Sequence, residues 1–181
     1  MTAVGRVAAV VLAAGAATRF GAPKQRLLLP GVLERVAASP VDEIVVVEGA
    51  YELCVDSTQG TLRRVRCADW ERGPGASLRC GLAALADDVE AAVVILADGP
   101  ELSPAAVARI VADWRGNGGA VVAASYGGER GHPLLAAREA WEDVPDAGLR
   151  VVSPRLVPCD DLGAPGDVDR PEELRPEWVS D

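Results

Sequence analysis

Residues 8–31 read AAVVLAAGAATRFGAPKQRLLLPG, and this stretch decides the architecture. Val7 to Leu12 is apolar without alternation, the pattern of a strand covered on both faces rather than one with a wet side. A tight turn is expected to follow, with Gly15 taking a positive φ and the small side chains of Ala13, Ala14, Ala16 and Ala17 leaving main-chain N–H groups open to a ligand. Arg19 and Lys24 then place two cations within short reach, with Gly21 and Pro23 shaping the loop between them. A turn of this kind suits phosphate.

Working outward, Val32, Leu33, Val36 and Ala37 fall at helical spacing and predict a helix from Gly31 that ends at Pro40. Glu43 to Val47 reads as a second buried strand, and 56–60 as a connecting turn. Strand, helix and strand in that order predict a βαβ unit. Val65 to Cys67 reads as a short strand before a Gly/Pro loop, and Ser77 is placed to cap a helix through Leu78, Leu82 and Leu85. Ala91 to Ala97 (AAVVILA) is the strongest strand pattern, and it delivers Asp98 to the carboxyl end, where open α/β sheets bind ligands. Ser103-Pro104 signals a helix that packs Val107, Ile110, Val111 and Trp114 inward. Ala120 to Ala124 is a further strand. The glycine-rich segment 126–135, which carries the single histidine, His132, reads as a substrate loop. Val151-Val152 and Arg155 to Pro158 read as one last strand or two short ones, and the acidic run Asp167-Val168-Asp169 leads into a short terminal helix.

The 181 residues are read as one domain, 1–181, able to bury roughly 70% of the surface an unfolded chain exposes. A hydrophobic fraction of 49% with only 4% aromatics describes an aliphatic core of helices packed closely on a sheet. The net charge of −9 opposes a nucleic-acid backbone, so nucleic acid is not an expected partner. No apolar run approaches the ~20 residues needed to cross a bilayer, and no cleavable leader is read, so no membrane association and a cytoplasmic location are expected. The cysteines lack C-x-x-C pairs, which argues against structural zinc and for reduced thiols.

Arg19 and Lys24 can neutralise triphosphate oxygens, while Asp98 and the acidic pair Asp167 and Asp169 can hold a Mg²⁺ that bridges phosphates. There is no G-x-x-x-x-G-K-[ST], no G-x-G-x-x-G after the first strand and no G-x-S-x-G, which sets aside P-loop NTPases, nicotinamide dehydrogenases and α/β-hydrolases.

The run from Leu12 to Leu28, L-A-A-G-A-A-T-R-F-G-A-P-K-Q-R-L-L, resembles the signature of the molybdenum cofactor nucleotidyltransferases, and most of all their cytidylyltransferase branch. Further blocks in family order are W-x-x-G-x-x-x-S-L from Trp70, L-A-D-x-P from Leu96, G-H-P from Gly131 and D-x-D-x-P-E-x-L from Asp167. The resemblance implies a three-layer α/β/α, Rossmann-like nucleotidyltransferase fold with a mostly parallel, mixed sheet. The implied reaction moves a nucleoside monophosphate from an NTP to a phosphate acceptor and releases pyrophosphate.

In that scheme Leu12, Ala13, Ala14, Gly15 and Ala16 cradle the nucleotide. Arg19 and Lys24 stabilise the triphosphate and the leaving pyrophosphate. Asp98 and Asp169 hold Mg²⁺, with Asp167 an alternative ligand. Gly75 and Ser77 border base and ribose, and His132 lies toward the acceptor. Ala14, where the guanylyl branch carries a second glycine, favours CTP. The acceptor implied is the molybdenum cofactor, and the protein partner a molybdoenzyme or its maturation factor. Three departures bear on the acceptor side: a short segment between Pro30 and Val32, a short segment at 146–153 where G-D-x-G-x-R is common, and Gly99 after Asp98. A sugar or polyol phosphate as acceptor, or a non-catalytic cofactor delivery protein, are the competing readings.

Overall fold

The structure is a computed structural model that describes residues 5–53 and 62–179. Seven strands form one sheet in the order β3-β2-β1-β4-β6-β5-β7: β1 Arg6–Leu12, β2 Glu43–Glu48, β3 Leu62–Arg66, β4 Val89–Leu96, β5 Val121–Tyr126, β6 Glu129–Ala137 and β7 Arg155–Pro158. β1 runs parallel to β2 and β4, β2 to β3, and β5 to β7; β6 is antiparallel to both its neighbours. Three α-helices among the described residues cover the sheet: α1 Gln25–Ala37, α2 Pro74–Ala83 and α3 Pro104–Asn117. The expected mostly parallel, mixed α/β/α fold is what the chain adopts.

The unbroken apolar run of β1 divides between two faces. Val7, Ala9 and Val11 pack with α1 and α3, through Leu29, Val32, Val36, Val107 and Ile110. Ala8 and Val10 pack with α2, through Leu78 and Leu82. A strand buried on both sides has no reason to alternate.

Helix α1 begins six residues before the predicted start and runs through Pro30, so no loop lies between Pro30 and Val32. A proline inside a helix costs about 3 kcal/mol. Leu28 and Leu29, each 1% exposed, repay about 1.5–3 kcal/mol apiece on burial, which carries the helix across it. The segment around His132 is not a loop but β6, joined to β5 by a two-residue turn. Gly127 and Gly128 have φ of 61° and 80°, the paired positive values that a tight hairpin turn requires. Ser77 is not a cap: Gly73 occupies that position, and Ser77 lies buried inside α2. The terminal helix is reduced to two short 3₁₀ turns, Pro171–Glu173 and Pro176–Trp178. The turn predicted at 56–60 lies outside the described residues.

Cys67 and Cys80 are joined by a disulfide that ties the end of β3 to α2, against the expectation of reduced thiols. Closing a ring of this size contributes about 3 kcal/mol by restricting the unfolded chain. Spacing in sequence carries no signal for such a pair, because the meeting of β3 and α2 is set by the sheet order. No helix among the described residues is long and apolar enough to cross a membrane.

Candidate active site

In register, Leu12 at the end of β1 stands beside Leu96 at the end of β4. The loops leaving these two strands therefore emerge together, at the crevice where the strand order 3-2-1-4 changes direction, the usual ligand position in open α/β sheets. A cavity of about 290 Å³ opens there, lined by Leu12, Gly15, Ala17, Thr18, Arg19, Lys24, Gln25, Leu96, Ala97, Asp98 and Asp169. Arg19 and Lys24 of the first loop meet Asp98 and Asp169, far from them in sequence, in this cavity.

Lys24 sits at the N-terminus of α1 and is almost fully buried. Its Nζ lies 2.8 Å from an Asp98 oxygen and 3.4 Å from an Asp169 oxygen, and it donates to the Val168 carbonyl at 2.5 Å. Arg19 pairs with the other oxygen of Asp169 at 2.5 Å, but its side chain is 71% exposed, so the guanidinium can swing toward a ligand at little cost. Two cations and two carboxylates balance, and the helix N-terminus adds a partial positive charge aimed at the same space.

Asp169 is delivered by an anchor that the spacing did not reveal. Val168 is fully buried against Phe20 and Leu28, and its N–H donates to the Asp98 carbonyl at 3.2 Å. The Glu173 carboxylate accepts the N–H groups of Asp169 and Arg170 at 2.7 and 3.0 Å, which fixes the loop. With Val168 pointing into the core, Asp167 turns away from Asp169 and lines a neighbouring, mostly apolar cavity of about 300 Å³ with Leu102, Tyr126, His132 and Pro165.

Gly15 lacks the positive φ expected of it. That conformation falls on Ala17, at 50°, and on Gly21, at 77°. A Cβ at Gly15 would meet only the Gln25 amide, at 3.8 Å, so what glycine provides here is open space on the cavity side. Ala13 and Ala14 are buried beneath the loop, and Ala16 is half-buried.

A third cavity, about 400 Å³, shares Leu12 and Leu96 with the first and is lined also by Pro74, Leu78, Arg130, His132, Gly148, Leu149 and Arg150. Gly75 and Ser77 do not line any of these cavities. Both are buried, and the Gly75 N–H donates to the Asp146 carbonyl at 3.0 Å; it is Pro74 and Leu78 of the same helix that face the space.

The segment after β6 is strapped down by arginines: Arg79 and Arg72 hold the Asp146 carboxylate at 2.5 and 3.1 Å. Arg130 donates to the carbonyls of Leu149 and Val152, each at 2.7 Å. Asp146, Gly148 and Arg150 keep the D-x-G-x-R spacing within the segment expected to be short, with Pro145 ahead of it. Arg150 is exposed at the cavity and makes no ion pair among the described residues.

His132 lies between the second and third cavities, its Nδ1 3.4 Å from the Val94 carbonyl. Burial pushes its pKa below the ordinary value near 6.5, opposed by that carbonyl and by Asp98, so the imidazole is neutral at pH 7. The unfolded chain takes up this proton below about pH 6.5 while the folded one does not. The stability that neutral His132 provides is therefore whole above that pH and lost as pH falls through the window beneath it. His132→Gln is expected to flatten the dependence of Tm on pH between about 5 and 7; an unchanged slope would mean that His132 titrates alike in both states.

A doubly wound sheet with a buried lysine, an arginine and two carboxylates at its crevice defines an α/β protein with a charged cavity at the ligand position of open sheets. The chain belongs to the family of the MobA-like NTP transferase domain, which matches residues 9–153, and it is a nucleotidyltransferase of that family.

Among solved structures it is similar to the homologue of Mycobacterium tuberculosis Rv0371c from Mycobacterium sp. strain JC1, with 27% identity, a TM-score of 0.76 and coverage of 93% of this chain and 92% of the other. Rv0371c of M. tuberculosis H37Rv is 24% identical at a TM-score of 0.76, covering 94% and 96%. The same protein in complex with manganese is 21% identical at 0.67, covering 85% and 88%. No curated protein matched the chain.

Proposed function

We propose that this nucleotidyltransferase moves CMP from CTP to the terminal phosphate of the molybdenum cofactor. The observation that carries the transfer chemistry is the Lys24 ammonium held between Asp98 and Asp169 at the mouth of the small-residue loop. Ala14 supports CTP over GTP through the resemblance of the L-A-A-G run to the cytidylyl branch.

Two carboxylates converge on one point, now held by an ammonium, and they offer hard oxygen donors of the kind a Mg²⁺ or Mn²⁺ ion takes while keeping several waters. No cluster of three candidate ligands is present among the described residues, so substrate phosphates and water would have to complete the ion's shell. Bound there by Asp98 and Asp169, such an ion would offset phosphate charge. The manganese complex of Rv0371c supports a divalent ion in this role.

The remaining work falls to the chain itself. An acceptor phosphate oxygen bonds to the α-phosphorus, the bond from that phosphorus to the bridging oxygen breaks, and pyrophosphate departs. Lys24 and Arg19 meet the charge that develops on the departing group, and the 13–17 loop holds the nucleotide in line. Arg150, exposed at the edge of the cavity of about 400 Å³, supplies a cation for the acceptor's phosphate, and neutral His132 on the same cavity offers a hydrogen bond rather than charge.

Melting curves with CTP, GTP, ATP and UTP, each with Mg²⁺ or Mn²⁺, are expected to show the largest rise for CTP. Pyrophosphate release is expected only when molybdenum cofactor is added. Release with a sugar or polyol phosphate instead would keep the enzyme and replace the acceptor. Tight cofactor binding with no release from any NTP would favour the delivery reading.

A further inference from the structure

Gln25 is 5% exposed, lines the phosphate cavity next to Lys24, and donates through Nε2 to the Gly15 carbonyl at 2.9 Å. A carbonyl can only accept, so this contact settles which end of the amide faces it. The other end, Oε1, is the one buried side-chain oxygen or nitrogen without a partner among the described residues. A second donor acts on the next carbonyl: the Tyr51 hydroxyl donates to Ala16 O at 3.0 Å. Two side chains from different elements, one in α1 and one after β2, therefore hold consecutive carbonyls of the small-residue loop. A peptide whose carbonyl is fixed has the direction of the following N–H fixed with it, because the unit is planar. A triphosphate needs N–H groups facing it and carbonyls turned away.

We propose that Gln25 and Tyr51 are positioning residues that preset this loop for the nucleotide, and that the free Oε1 of Gln25 accepts an O–H donor brought by the substrate, either a ribose hydroxyl or a water on the phosphate-bound cation. This rests on the nucleotide-binding reading but not on the identity of the acceptor. Buried oxygens are rarely left unpaired, and this one belongs to a side chain that lines the cavity the ligand would enter. Tyr51→Phe removes one tether and nothing else; Gln25→Leu removes the other tether together with the free oxygen at nearly constant volume.

The test is calorimetric binding of CTP with Mg²⁺, with Tm measured in parallel. Tyr51→Phe is expected to raise Kd about fivefold and Gln25→Leu tenfold or more, in line with one and two lost hydrogen bonds. In turnover, KM for CTP should rise while KM for the acceptor stays put. If Gln25→Leu loses its extra deficit with 2′- or 3′-deoxy-CTP, the donor is the ribose; if the deficit persists with tripolyphosphate and Mg²⁺, it is the water. Either result supports the proposal.

Kd within twofold of wild type in both variants, or a lower Tm with unchanged Kd and KM, would overturn it. Should Gln25→Leu not fold, Tyr51→Phe decides the positioning role and Gln25→Met, unbranched and of similar length, decides the free oxygen. Failure of wild type to bind any nucleoside triphosphate would overturn both this and the nucleotide reading, whereas failure to find an acceptor would leave the binding result standing.

Discussion

Replacing Lys24 by alanine is expected to lower kcat for pyrophosphate release at least a hundredfold, and toward a thousandfold, while the protein still folds. The size follows from where the ammonium sits: nearly buried, fixed by Asp98, Asp169 and the Val168 carbonyl, and so already oriented when negative charge develops on the departing group. Removing one preorganised donor of this kind typically costs 10²–10³ in rate. The cost in stability is smaller, about 1–3 kcal/mol for the unpaired Val168 carbonyl and the two carboxylates left facing each other, because both carboxylates retain some contact with water.

One accompanying result separates this role from plain damage. In the free enzyme the ammonium occupies the point on which the two carboxylates converge, so it competes with a divalent ion. Lys24→Ala should bind Mn²⁺ at least as tightly as wild type while losing turnover, and titration with Mn²⁺ followed by paramagnetic resonance reads this directly. Weaker Mn²⁺ binding would place the ion elsewhere.

Asp98→Asn is expected to lose turnover to a similar extent for the opposite reason. The amide keeps the shape of the carboxylate but not its charge, so Lys24 remains held by Asp169 and Val168 while half of the proposed ion site is gone. The variant should need much higher Mg²⁺ for any residual activity and show a reduced gain in Tm from CTP with Mg²⁺. The readout is turnover as a function of Mg²⁺ concentration. A variant with normal Mg²⁺ dependence and near-normal turnover would remove Asp98 from the chemistry. The pair of variants is informative together: Lys24→Ala should uncouple ion binding from catalysis, and Asp98→Asn should lose both.

Much of the architecture was legible because its signals are local. The unbroken runs in β1 and β4 mark strands buried on both faces, and Ser103-Pro104 marks the start of α3, with Ser103 at the N-cap. What went unread had its cause outside the local window. The burial of Leu28 and Leu29 carried α1 across Pro30, and pairing with β4 and β5 made a strand of the glycine-rich segment around His132. Helix α2 begins at Pro74, so Ser77 turned inward where a cap would have faced out.

The sequence by itself determined that this is an α/β protein with a small-residue turn, two cations after it and carboxylates at later strand and loop ends, since residue type and short-range spacing carry that information. Only the tertiary structure decided where each carboxylate goes. Val168 buries itself and so sends Asp169 to Lys24 and Asp167 to the apolar cavity; the meeting of β3 with α2 joins Cys67 to Cys80; and Gln25 and Tyr51 reach consecutive carbonyls of one loop from separate elements. These contacts join residues from 10 to 145 positions apart, and their geometry is set by the way separate elements pack on the sheet, to which no local pattern in the chain refers.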